Sequence, residues 1–281
     1  MLIRPYTDAD LPALQATFAG WIAQAGRCGY DHIGELPHRI YENLRGRGAV
    51  QMFLDRDSIV GLAICGRSGD AFDVFTAPAL RGTRFEEQMI AAVPSEFVLT
   101  DAWDCDSARI ELLGRLGFER FRVWDDVREL SLTEPVAAIA GVRGARFDDA
   151  ERLAEAHNSA FGDDWTGERY LNEVMRKPGY DPAREIVVEA PDGRIAAFAV
   201  MWLDERNRTG HFEPVGTHAD FRRRGHARAV MLHAMHLMRE AGMTLVTVNH
   251  NAENVAALQL YESLGFARTH ETYGFRRPPA G

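Results

Sequence analysis

The sequence predicts an α/β or α+β protein made of two tandem domains with mixed sheets, and three observations carry that expectation. Two stretches recur in the same order along the chain. Ile3-Arg4, Asp8-Ala9-Asp10 and Leu14 return as Val142-Arg143, Asp148-Asp149 and Leu153, with Asp10/Asp149 and Leu14/Leu153 each 139 residues apart. Leu112-Leu113-Gly114-Arg115-Leu116-Gly117-Phe118 parallels Leu260-Tyr261-Glu262-Ser263-Leu264-Gly265-Phe266 at a spacing of 148 residues. Collinear matches near both ends, with a small drift in spacing, point to a duplication with altered loops. The third observation is that hairpin patterns alternate with helical patterns in each half.

The elements follow in order. Each half opens with a short strand, an acidic turn and a capped helix. Val50–Leu54 and Ile59–Cys65 read as a hairpin around Asp55-Arg56-Asp57-Ser58. Glu185–Glu189 and Ile195–Trp202 do the same around Ala190-Pro191-Asp192-Gly193, where Asp-Gly is a strong turn signal. Helices are expected over Phe85–Ala92 and Ala227–Ala241, the latter stopped by Gly242, and a β-branched strand over Thr244–Asn249. The segment Ser131–Gly141, punctuated by Pro135 and Gly141, separates a domain at 1–133 from one at 141–281.

The chain has 281 residues, 46% hydrophobic and 26% charged, enough apolar material for two ordinary cores. No run approaches eighteen apolar residues, and Met1-Leu2-Ile3-Arg4-Pro5 is not a signal peptide, so a cytoplasmic protein without a membrane partner is expected. The net charge of −9 argues against a general nucleic-acid surface. Cys28, Cys65 and Cys105 are odd in number and form no CxxC pair. They are read as small buried hydrophobes rather than as a disulfide framework or a metal site, with a reactive thiol as the alternative.

The chemistry gathers in the second half. Glu213-Pro214-Val215-Gly216-Thr217 ends a strand, and Arg222-Arg223-Arg224-Gly225-His226-Ala227 leads into a helix. A helix start offers unpaired N–H groups and the positive end of the macrodipole, and therefore suits phosphate. Gly225 permits close backbone approach, Ala227 leaves room, and the arginines add charge-assisted contacts. By itself this stretch also reads as a solvated basic helix start. Further on, Asn251 or Asn254 can cap a helix that Gly265 ends. Asn254 and Tyr261 stand seven residues apart, about two turns, on one face. Taken alone, Tyr261 is a packing residue with a wet hydroxyl.

Together these stretches closely resemble the GNAT superfamily of N-acetyltransferases over most of residues 141–281. The resemblance implies two tandem domains, each a mixed, mostly antiparallel twisted sheet flanked by helices. It implies acetyl-CoA in a V-shaped opening between two splayed strands. The pantetheine amides would pair with the backbone of Val215 and Thr217 beside Gly216, and the pyrophosphate would sit over Arg222, Arg223, Arg224, Gly225, His226 and Ala227. Asn254 would help hold the cofactor, the N–H near Val215 would polarise the thioester carbonyl, and Tyr261 would be the general acid. Glu213, one period-two step from Val215, is the candidate general base, directly or through water, with a structural carboxylate as the alternative; Asp204, His211 and His218 are weaker candidates.

In the first half, aligning Val74-Phe75-Thr76 with Val215-Gly216-Thr217 sets Arg84 on Gly225, Glu86 on Ala227, Asp106 on Asn254 and Leu113 on Tyr261. Each change disfavours CoA, so residues 1–133 resemble a degenerate domain of the same family. Tandem members of that family share this one-active, one-degenerate layout, an architectural parallel that carries no substrate with it. The expected reaction is acyl transfer from acetyl-CoA to a primary amine, most simply a small molecule, by a monomer or homodimer. The rival reading is a non-catalytic acyl-CoA sensor. Asp163-Asp164-Trp165 is either a cation-recognising element or a helix-capping loop with a packed tryptophan.

Overall fold

The computed structural model describes residues 2–46, 48–67 and 69–277. In chain order, the elements of the first half are β1 (Leu2–Pro5), α1 (Leu11–Ala25), α2 (Glu35–Pro37), β2 (Ala49–Asp55), β3 (Ser58–Arg67), β4 (Ala71–Thr76), α3 (Arg84–Ala92), β5 (Leu99–Trp103), α4 (Ser107–Arg115) and β6 (Glu119–Ser131). The second half holds β7 (Val142–Gly144), α5 (Ala150–Phe161), α6 (Gly167–Tyr170), β8 (Glu185–Glu189), β9 (Ile195–Asp204), β10 (Thr209–Thr217), α7 (His226–Glu240), β11 (Leu245–Asn251), α8 (Val255–Leu264) and β12 (Ala267–Arg276). The expected hairpins and helices are all present, with bounds shifted by a residue or two, as element ends commonly are.

The chain divides into two compact units. The first holds residues 1–127, 250–254 and 268–281; the second holds 128–249 and 255–267. The division departs from simple chain order at two places, because residues 250–254 and most of β12 lie with the first unit. There β12 runs antiparallel to β5, Thr272 opposite Trp103 and Arg276 opposite Leu99.

In the first unit β1, β2, β3 and β4 pair antiparallel in succession. β5 is parallel to β4, in register at Ala71 and Leu99. Helix α1 turns Leu11, Leu14, Phe18 and Ile22 into a core with Tyr30, Leu36, Met52 and Phe75. That spacing is one stripe of a helix. The other face of the sheet covers Met89 and Ile90 of α3 and Leu112 and Leu113 of α4.

In the second unit β7, β8, β9 and β10 are antiparallel neighbours, and β11 is parallel to β10. Helix α7 places Val230, Met231, Ala234, Met235 and Met238 against Ala197, Ala199, Phe212, Val246 and Val248. Helix α5 packs Leu153, Ala154 and Ala156 onto the opposite face, against Val187 and Phe198. Each unit is therefore a mostly antiparallel sheet between helices.

The duplication extends to individual bonds. Arg4 grips Asp10 through two bonds of 2.8 and 2.6 Å, and the Thr7 N–H donates to the same carboxylate at 2.8 Å. Arg143 grips Asp149 at 2.7 and 2.9 Å, and the Arg146 N–H donates to it at 2.8 Å. The residues involved are those that recur 139 positions apart.

One expectation fails here. Cys28 and Cys105 form a disulfide with Cα atoms 6.0 Å apart, across 77 residues of chain. Only Cys65 is the buried free thiol anticipated. An odd cysteine count cannot distinguish three free thiols from a bridge plus one, and the loop after α1 meets the β5–α4 turn only in the folded chain.

Candidate active site

The geometry that matters most in the second unit is the divergence of β10 from β11. Their parallel register runs from Thr209–Leu245 to Phe212–Val248. On its other side β10 pairs with β9, with a register shift between Phe212 and Val215. Pro214, which has no N–H to donate, sits inside that irregularity. Beyond it, Val215, Gly216 and Thr217 stand opposite Ala199, Phe198 and Ala197.

Main-chain direction follows from one bond. The His218 N–H donates to the Ala196 carbonyl at 3.0 Å. Alternation along a strand then turns Gly216 toward β9, and turns the N–H and C=O groups of Val215 and Thr217 to the opposite edge. That edge lies beyond the point where the β10–β11 register stops, so it can accept an added extended chain.

Gly216 is dictated by packing: a Cβ there would collide with the Phe198 ring. That ring stacks on His157 with centroids 3.9 Å apart. Behind it, buried Glu185 takes hydrogen bonds from Tyr170 at 3.0 Å and from Tyr180, and lies 3.1 Å from His157. Sequence reasoning missed this network because its members come from α5, α6, a loop and β8.

At the start of α7, Gly225 is the N-cap residue at φ 82°, and no side chain caps the helix. A Cβ at Gly225 would meet nothing within 4 Å, so the glycine answers to backbone conformation and leaves space above the helix end. Arg223 also has positive φ, 63°. Arg222, Arg223 and Arg224 are exposed, and His226 and Ala227 half-buried. A helix start with no side-chain cap is a place where an anion can be bound.

Tyr261 lies in α8 and is 6% exposed, inside the core cluster that holds Phe212 and Val248, with Val215 packed against it. Burial raises its hydroxyl pKa, and the charge of Glu213 raises it further. The charge of one candidate catalytic group thus bears on the hydroxyl of the other. The half-buried Glu213 does not follow from simple alternation, however. Phe212 and Val215, three residues apart, pack into the same core cluster, so the irregularity interrupts the period-two argument. The Glu213 carbonyl accepts the Trp202 indole N–H at 2.6 Å. Asn254 is exposed and immediately precedes α8; its N–H bonds the Asn251 carbonyl at 2.8 Å.

The weaker base candidates have structural partners. Asp204 receives the Asn207 N–H at 3.1 Å, His211 lies 2.7 Å from the Thr247 hydroxyl, and His218 accepts the Asp220 N–H at 3.2 Å. Asp163-Asp164-Trp165 takes the capping-loop form. Trp165 is buried, its main chain is held on both sides by the Asn158 amide at 2.8 Å, and Arg169 lies over its ring and 3.6 Å from Asp164.

The corresponding place in the first unit is filled by the protein itself. Helix α3 starts at Arg84 and is capped by Thr83, whose hydroxyl accepts the Phe85 N–H. Gly82 keeps the positive φ found at Arg223, whereas Arg84, aligned with Gly225, is already helical. The buried Glu86 carboxylate takes the Gly82 N–H at 2.6 Å and the Arg109 guanidinium at 2.8 Å. Arg109 also bonds the Val74 carbonyl on β4 at 3.0 Å, the Asp101 carbonyl on β5 at 3.0 Å and the Thr100 hydroxyl at 3.2 Å. One guanidinium thus ties together the two strands that would have to part for a cofactor. Asp106 caps α4 and bonds Arg81 at 2.5 Å, and Leu113 is fully buried.

Comparison with known proteins agrees with this architecture. Residues 150–266 match the family model described as "Acetyltransferase (GNAT) family". A mycothiol acetyltransferase of Nocardia farcinica is 29% identical over 216 residues, 69% of this chain and 70% of its own length. Further mycothiol acetyltransferases match over 39%, 58% and 36% of their lengths. The [ribosomal protein bS18]-alanine N-acetyltransferase of Escherichia coli strain K12 is 31% identical over 36% of this chain and 57% of its own. Among solved structures, a tandem GNAT protein of the clavulanic acid biosynthesis pathway superposes at a TM-score of 0.63 with 14% identity, over 100% of this chain and 99% of that one. Over residues 150–266, the chain is therefore similar to the GNAT family of acetyltransferases.

Proposed function

We propose that this protein is an acetyl-CoA-dependent N-acetyltransferase with one active site per chain, built on β10, the start of α7, and α8, and acting on the primary amine of a small molecule. When bound, acetyl-CoA supplies an activated acyl group on a thiolate leaving group. The outward C=O of Val215 and the N–H and C=O of Thr217 pair with its pantetheine amides. The N–H groups from Arg223 to Ala227 receive its pyrophosphate, assisted by the exposed arginines. The Val215 N–H donates to the carbonyl oxygen on which charge develops. Glu213, directly or through one water, takes the proton that the amine loses on attack, and Tyr261 gives its proton to the departing sulfur. Solvent returns a proton to the phenolate.

The observation that carries this reading is the buried Tyr261 hydroxyl. A phenol is protonated at neutral pH in any case, and burial and the Glu213 charge raise its pKa further, so the proton is there to give to a thiolate. The small-molecule acceptor rests on similarity to the mycothiol acetyltransferases. Tyr261→Phe should lower turnover about 100-fold, the scale of losing a general acid, with acetyl-CoA affinity changed little. Steady-state kinetics with a panel of amines and a free-thiol readout test this. Unchanged turnover would remove Tyr261 from the reaction, and binding without turnover on any amine would favour a sensor.

A further inference from the structure

We propose that Cys28 and Cys105, once reduced, form with His270 and Asp104 a site for one divalent metal ion of the zinc class, built wholly from residues of the first unit. The ligand atoms of Asp104, Cys105 and His270 all lie within 4.8 Å of one another. The His270 Nδ1 is 2.9 Å from Asp104 Oδ1. Cys28 is bonded to Cys105, so a second sulfur occupies the same spot. Two thiolates, an imidazole and a carboxylate are the donor set of a tetrahedral zinc-type site, with metal–ligand bonds of about 2.0–2.3 Å. Bonds of that length place donors about 3.3–3.8 Å apart, so the ligand atoms need to close by about 1 Å and the two sulfurs to part once the bridge is cut. A disulfide sulfur is a weak donor, so the bridged form offers only nitrogen and oxygen.

The scaffold holding the four residues does not depend on the bridge. β12 pairs with β5 from Thr272–Trp103 onward, and the Asp104 N–H donates to the Glu271 carbonyl at 2.9 Å. This keeps His270 beside the turn that carries Asp104 and Cys105. Arg81 bonds the Cys28 carbonyl at 2.7 Å, and the Tyr30 hydroxyl bonds the Thr76 carbonyl at 2.7 Å. The Cys28 loop is thereby tied down independently. Access is open: Cys105 is exposed, and the Asp104 and His270 side chains are 29% and 35% exposed. The remaining thiol, Cys65, is buried and pushed up to about 11 by that burial, so it does not compete as a thiolate.

The chemistry balances with a thiol reductant. Two external thiols supply two electrons and two protons and leave as their own disulfide; the Cys28–Cys105 bond breaks to two thiols. Metal binding then releases both protons to solvent. In either state the loop after α1 stays fastened to the β5–α4 turn, by a covalent bond or by a metal.

The test is titration of the full chain with Co²⁺, before and after reduction with a phosphine and anaerobic desalting. The reduced protein should bind one Co²⁺ with thiolate-to-metal charge-transfer absorption and tetrahedral visible bands, and Zn²⁺ should displace it. The oxidised protein should give neither band. Cys105→Ser and Cys28→Ser should each weaken the charge-transfer band, His270→Ala should lower affinity at least tenfold, and Cys65→Ser should leave the spectrum unchanged, with far-ultraviolet circular dichroism confirming the fold of each. A reduced chain that gives only a pale octahedral spectrum, or a charge-transfer band undiminished in Cys105→Ser, would overturn the site. Neither outcome touches the acetyl-transfer reading.

Discussion

At the scale of single residues, the two repeats preserve their ion-paired aspartates more faithfully than their chemistry. Asp149 is fully buried. Burial alone would raise its carboxyl, but the bonds from Arg143 and the Arg146 N–H outweigh it and hold the pKa low. In the partly exposed Asp10, the Arg4 bond likewise dominates and lowers the pKa. A carboxylate held low in the folded state contributes stability that is fully present above its unfolded pKa, near 4, and is lost as pH falls through the folded value. Both units should therefore lose stability below about pH 4. Asp149→Asn should cost about 3 kcal/mol at neutral pH, the scale of breaking a buried pair, and should flatten the acid limb. Thermal midpoints measured from pH 3 to 7 check this; a variant with the parental acid limb would show that the pair does not set it. Tyr261 belongs to the same scale: its identity was legible in the sequence, whereas its burial and its coupling to Glu213 were not.

At the scale of elements, the contrast between α7 and α3 separates a helix start open to a ligand from one closed by its own chain. The open form was legible, because an Arg-rich turn, a glycine in the left-handed conformation and a helix start are contiguous. The closed form was legible only as loss, through Arg84 and Glu86. What fills the gap was not, since the partners of Arg109 on α3, β4 and β5 lie up to 35 residues away. The interruption at Pro214 was hidden for a different reason, because periodicity predicts faces only while pairing is regular. Arg109→Leu should strip a buried partner from Glu86 and unfasten β4 from β5. We expect a loss of about 3 kcal/mol in denaturant unfolding and no gain of acetyl-CoA binding in the first unit. Stability within about 0.5 kcal/mol of the parent would show that Arg109 is not the fastening.

At the scale of the whole molecule, two compact units of similar build differ at the start of their central helices. The repeat and the likeness of residues 150–266 to the acetyltransferase family were readable because they reside in ordered, local patterns. The membership of β12 in the first unit was not, since nothing in a β-branched, Gly-Phe-containing strand states which sheet edge it will join. The disulfide was hidden in the same way, by long sequence separation. The most direct measurement of the central account is isothermal titration of the full chain with acetyl-CoA, for the parent and for Gly225→Glu. A carboxylate on a side chain at the φ 82° position would face the diphosphate and strain the turn. The account predicts one acetyl-CoA per parent chain and none for the variant; two per parent chain, or one that persists in Gly225→Glu, would contradict it.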